Sequence, residues 1–161
     1  MRKLVGSCLV LAGGLLVWYL RMAERRRERE TLREMIAALH RMGEEIRLAR
    51  TPLPELLERL EKSCRTDAAT FFRKGAAMLR QGERWVPYVE ELPLSSEARR
   101  CLRDMAMDLN GDEHNMCKVI LLAIEELERE RKKQEEQRPG EEKQLTAVCF
   151  SASAMLVILL I

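Results

Sequence analysis

Residues 47–60 read RLARTPLPELLERL, two prolines set between runs of helix-favouring residues. Upstream, Leu32, Met35, Ile36, Leu39, Met42, Ile46 and Ala49 recur every three or four residues and predict one amphipathic helix over Thr31–Ala49. Downstream, Leu53, Leu56, Leu57 and Leu60 repeat that spacing on a second helix. Proline at the first position of a helix loses no hydrogen bond, because that amide has no partner in any helix. Thr51 is therefore expected as the N-cap, Pro52 as the first helical residue and Pro54 within the first turn. Residues before proline are pushed out of the α region, which bends the chain at Arg50–Thr51. The stretch is a corner between two helices, neither a linker nor a ligand loop.

The same reading extends over the rest of the chain. Aromatic residues are 4% and charged residues 34% of the 161, the balance of a helix-rich all-α protein. A third helix is expected through AATFFRKGAAMLRQ, capped by Thr66 or Asp67 and stopped at Gly82. A short fourth would hold Trp85 and Val89. A fifth, capped by Ser95 or Ser96, carries the stripe Ala98, Leu102, Met105 and Leu109, and NGD at 110–112 signals the next turn. The last runs from about Asp112 to Gln137: Val119, Ile120, Ala123, Ile124 and Leu127 would pack in the bundle, while Glu128–Gln137 is a polar stalk. The 28 basic and 26 acidic residues nearly cancel, which argues against a nucleic-acid binder.

Two segments carry no charge. Leu4–Leu20 and Leu145–Ile161, each 17 residues, are at the short end of bilayer-spanning length. The first lacks a small-residue cleavage site and is followed by Arg21 and Arg25–Arg27, which favours an anchor over a cleaved signal. Cys8 has too few residues before it for a lipoprotein signal. The expected organisation is a transmembrane helix over 1–22, an antiparallel bundle of about five to six helices with its polar stalk over 23–138, and a second transmembrane helix over 139–161. Flanking cations put the bundle in the cytoplasm and both termini outside: Arg21, Arg25, Arg26, Arg27, Arg29 and Arg33 follow the first span, and Lys132, Lys133, Arg138 and Lys143 precede the second. A secreted form with an anchored tail is the competing topology. The interleaved Arg and Glu of residues 21–34 also suit pairs along a helix and some attraction to anionic lipid. Gly6 with Gly13, and Ala147, Ser151 and Ala154, are small residues at helical spacing that would let spans approach closely. Of five cysteines, Cys64, Cys101 and Cys117 fall in the soluble part, an odd number without framework spacing, expected as reduced thiols.

Catalytic and metal signatures are weak. His114 and Cys117, three apart beside Asp112 and Glu113, could supply two zinc ligands, and two do not make a site. Glu44 with Glu45, and Glu90 with Glu91, are adjacent and point in different directions on a helix. No phosphate loop, Ser/His/Asp arrangement or glycine-rich fingerprint is present. The expectation is no enzyme and no cofactor, metal or catalytic residue. Trp85 and Tyr88 are candidates for contact or for core filling.

KLVGS at 3–7, the arginine-rich exit from the first span, LREMIAALHRMGEEIRLARTPLPELLERL at 32–60, FFRKGAAMLRQGE at 71–83, IEELERERKK at 124–133 and the terminal MLVILLI together resemble the stage III sporulation protein AB family. The most specific piece is TPLPE after Glu45 and Ile46. That resemblance implies a helical domain similar to the cytoplasmic domain of type II secretion platform proteins. It also implies a non-enzymatic scaffold in the channel complex joining mother cell to forespore, in the mother-cell membrane around the forespore. Implied partners are the membrane, the complex's ATPase, stage III sporulation protein AA, and the other membrane proteins of its operon, with homo-oligomerisation open. The alternative is an anchored regulatory or chaperone-like adaptor for a soluble client.

Overall fold

The computed structural model describes residues 2–49, 51–109, 115–136 and 151, with the side chains of 2–11 and 49 outside the description. Five helices make up the described residues, with no strand among them: α1 (Arg2–Ala49), α2 (Leu53–Ser63), α3 (Asp67–Arg80), α4 (Ser96–Asp108) and α5 (residues 115–136). The chain divides into two units, Arg27–Lys132 and the two ends, Met1–Arg26 with Lys133–Ile161.

The helix expected at Thr31–Ala49 is the C-terminal part of a continuous 48-residue α1. Residues 15–42 contain neither proline nor glycine, and the Arg/Glu run 24–34 consists of good helix formers, so nothing breaks the helix between its apolar start and its amphipathic end. Among the described residues no helix is long and apolar enough to cross a membrane. Of the two expected spans, 4–20 has described side chains only from Ala12 onward, and 145–161 lies outside the described residues except for Ser151.

In the bundle unit, Leu32, Met35, Ile36, Leu39 and Met42 of α1 are buried, as their spacing predicts. Against them pack Leu56, Leu57 and Leu60 of α2, Phe71 and Phe72 of α3, Leu102 and Met105 of α4, and Ile120, Ile124 and Leu127 of α5. The α1–α2 corner differs from expectation in one respect. Pro52, at φ −56° and ψ 136°, is itself the N-cap, and no side chain caps α2. The ψ of Pro52 lies outside the α region, so the helix begins at Leu53 with Pro54 in its first turn, and Thr51 stands one residue too early to cap it. Arg50, the other residue of the expected bend, lies outside the described residues.

The next corner is held from α1. Glu34 Oε2 accepts hydrogen bonds from the Arg65 N–H (2.9 Å), the Thr66 N–H (2.9 Å) and the Thr66 hydroxyl (2.8 Å). Thr66 in turn caps α3, its Oγ1 accepting from the Ala68 N–H at 3.3 Å. Two turns before Glu34, on the same face of α1, Arg27 grips Asp67 in a bidentate pair of 2.8 and 2.7 Å. Burial works against the Glu34 charge, but the two amides and the hydroxyl outweigh it and hold the carboxyl below its ordinary 4.5. The Arg27 hydrogen bond likewise holds Asp67 below 3.8, against burial.

At the other end of α3, Gly82 adopts φ 75°. Its N–H donates to the Leu79 carbonyl and the Glu83 N–H to that of Met78, both at 3.1 Å, a Schellman closure that requires the left-handed residue glycine supplies. The short helix expected at Trp85–Val89 does not form. Residues 83–89 are extended, with Trp85, Pro87 and Val89 buried and Arg84, Val86, Tyr88 and Glu90 exposed, a period of two. Proline at 87 disfavours the α region for Val86 and removes a donor, so the four-residue spacing of Trp85 and Val89 is reached by alternation. Trp85 is 1% exposed and lies 5.1 Å, centroid to centroid, from Phe71. A Cβ on Gly75 would come within 2.6 Å of its ring, so α3 carries glycine where the indole crosses it. Ser95 then caps α4, accepting from the Ala98 N–H at 3.3 Å.

Two predictions follow from these corners. Gly75→Ala gains about 0.5–1 kcal/mol in helix propensity and loses about 1–3 kcal/mol to overpacking. The net loss appears as a lower urea midpoint and, in a Trp18→Phe background, a red-shifted Trp85 emission; an unshifted spectrum with unchanged stability would contradict the packing described. Because Glu34 and Asp67 titrate lower folded than unfolded, the stability they add is complete above about pH 4.5 and is lost as pH falls through the folded values. The gap in urea midpoint between the unmodified chain and Glu34→Gln should therefore narrow on acidification, and a constant gap would count against the Glu34 contacts.

Candidate interaction surface

On α4, residues 97, 100, 101, 104, 105 and 108 recur every three or four positions and form one stripe; on α5, residues 119, 122, 123 and 126 do the same. The stripes face each other across a groove of about 420 Å³. Met105 and Ala123 are buried in its floor, with Cys101 and Val119 half-buried beside them. Leu122 lines it at 57% exposure. Its edge carries Glu97, Asp104, Asp108 and Glu126 against one cation, Arg100. Asp104 and Asp108 make no ion pair among the described residues, while Glu126 meets Arg129 at 3.5 Å on its own helix. α4 has no basic residue in its last turn to offset Asp108 at the negative end of the helix.

Cys101 sits at the junction of the two helices, its thiol donating to the Ala123 carbonyl at 3.7 Å. Burial raises its pKa to about 11, and the carboxylates of Glu126 and Asp104 add to the rise. A thiol so held is a poor nucleophile at neutral pH. With the pair Asp104→Asn and Glu126→Gln, maleimide alkylation of Cys101, followed by mass spectrometry that resolves individual cysteines, should speed several-fold. An unchanged rate would show that the carboxylates do not act on the thiol.

The remaining candidates are dispersed. His114 lies outside the described residues and Cys117 is half-buried near the start of α5; no group of three or more His, Cys, Asp and Glu that could hold a metal occurs among the described residues. Cys64, Cys101 and Cys117 are free thiols, as their number and spacing suggested. The adjacent carboxylates diverge: Glu90 pairs with Arg99 and Arg103 of α4, Glu91 with Lys74 of α3. Trp85 fills the core, whereas Tyr88 is 60% exposed with the Lys74 ammonium 4.5 Å above its ring. Of the small residues, Gly13 has open space around it, and Ala147 and Ala154 lie outside the described residues. The groove itself escaped the sequence reading. Its acidic members Glu97, Asp104 and Asp108 stand seven and eleven apart on one helix, a spacing visible in retrospect.

The fold defines a class, small helical bundles built on one long N-terminal helix. The chain belongs to the stage III sporulation protein AB family, whose profile matches residues 3–161, and that membership gives it a role in sporulation. A solved structure of stage III sporulation protein AB (SpoIIIAB) is similar in fold, with a TM-score of 0.63 at 21% identity, covering 70% of this chain and 97% of that one. The curated proteins give no match.

Proposed function

We propose that the chain is a membrane-anchored, non-enzymatic scaffold of the channel complex between mother cell and forespore, with its helical bundle facing the mother-cell cytoplasm and contacting the complex's ATPase, stage III sporulation protein AA. Family membership supports the setting. The observation that carries the anchor is on α1: the six consecutive residues Leu15, Leu16, Val17, Trp18, Tyr19 and Leu20 are 37–66% exposed and point all round the helix. Water gives such a surface no reason to stay uncovered, whereas lipid does. The transmembrane helices over 1–22 and 139–161, with the bundle over 23–138 between them, complete the proposed organisation. Coupling is by contact, the bundle meeting the ATPase and the spans meeting the complex's other membrane proteins.

Fractionation of sporulating cells tests the reading. The full chain should sediment with membranes and bring the ATPase with it, and deletion of residues 23–138 should release the ATPase to the soluble fraction. A chain found in the soluble fraction, or ATPase recruitment unchanged by the deletion, would overturn it.

A further inference from the structure

In the α4–α5 groove an apolar floor and an excess of carboxylates coincide. From residue 97 to 108 it runs about 16 Å, the length of about three turns of a helix laid along it. Its floor offers Met105 and Ala123, with Cys101 half-buried beside them and Leu122, 57% exposed, on its wall. Methionine and leucine side chains of this kind adapt to an incoming apolar face. Its edge is acidic along both helices. Asp104 and Asp108, both exposed, have no cationic partner among the described residues. A neutral or acidic partner would leave those carboxylates uncompensated on desolvation, while flanking lysines or arginines would pair with them.

We infer that the α4–α5 groove binds a basic amphipathic helix of a partner protein, its apolar side over Met105 and Leu122 and its cations against Asp104, Asp108 and Glu126. The inference deepens the scaffold reading and rests on it for there being a protein partner at all. The mode is that of an amphipathic helix laid into an apolar groove, with anchors at three- and four-residue spacing. Charge supplies register and approach rate, and contact with the floor supplies residence. The negative surroundings of the Cys101 thiol agree with an electrostatic field that favours cations at this place.

The full-length chain in detergent or nanodiscs is titrated with a fluorescein-labelled helical peptide of about three turns, with leucines on one side and lysines and arginines on its flanks. A peptide of the same composition in scrambled order serves as control. The ordered peptide should bind saturably and weaken as salt rises. Binding should fall about tenfold or more, at least 1.4 kcal/mol, in Asp104→Lys on α4 and independently in Leu122→Glu on α5, and stay unchanged in Glu44→Lys, an exposed carboxylate of α1. Bound peptide should also protect Cys101 from alkylation. Equal binding of the scrambled peptide, equal binding by both groove variants, or an unprotected Cys101 would overturn the inference. So would a dimer of the full chain that Asp104→Lys dissociates, since the occupant would then be a second copy. Peptide binding needs no ATPase, so its failure counts against the groove alone; failed ATPase recruitment with intact peptide binding counts against the scaffold reading alone.

Discussion

One carboxylate on α1 fixes the geometry of the bundle. Glu34 takes up two amides and a hydroxyl at the α2–α3 corner, the amides being donors that neither helix pairs. The corner is thereby tied to a helix it does not follow in sequence, and Arg27 repeats the tie one residue on, at Asp67. With the N-terminus of α3 fixed against α1, Phe71, Phe72 and Gly75 face the interior, and the position of Gly75 decides where Trp85 crosses. Arg59 and Glu45 add a 3.5 Å contact between α2 and α1, and His40 and Glu128 one of 3.7 Å between α1 and α5. These are exposed pairs that contribute little each. The Glu34 contact differs because it satisfies backbone donors.

The extended strap between α3 and α4 is the second consequence. Gly82 turns the chain out of α3, and Ser95 readmits it to a helix. Between them the chain spans the bundle by alternation: Trp85, Pro87 and Val89 go in, then Leu92 and Leu94. A helix over the same residues would need the amide that Pro87 lacks. Lys74 pins the outer face of the strap, bonding Glu91 at 2.7 Å and lying over Tyr88. The strap and α3 are thus joined on both faces, by the Trp85–Gly75 crossing inside and by Lys74 outside.

Periodicity and capping chemistry made most of the bundle legible in the sequence. The α1 stripe, the caps at Thr66 and Ser95, the stop at Gly82 and the apolar positions of α4 and α5 all depend on residues within a few positions of one another. What escaped depends on longer range or on a single dihedral. Thr51 looked like a cap because it has the right side chain, but the ψ of Pro52 set the helix start one residue later. Trp85 and Val89 stand at a spacing that serves a helix as well as an extended strap, and Pro87 between them, with the crossing at Gly75, decides for the strap. The groove needs two stripes from different helices, and no local pattern states that residues 104 and 126 end up on the same opening.

A net charge of +2 conceals how unevenly charge is placed. Residues 21–33 hold Arg21, Arg25, Arg26, Arg27, Arg29 and Arg33 against Glu24, Glu28 and Glu30, whereas the α4–α5 groove holds four carboxylates against Arg100. Charges of opposite sign cancel in the sum, yet each acts mainly on what lies within about 8–10 Å of it. Clustered arginines suit anionic groups such as lipid headgroups, and an acidic groove suits cations. In the proposed organisation the basic run would meet lipid and the acidic groove a protein, each surface repelling what the other attracts.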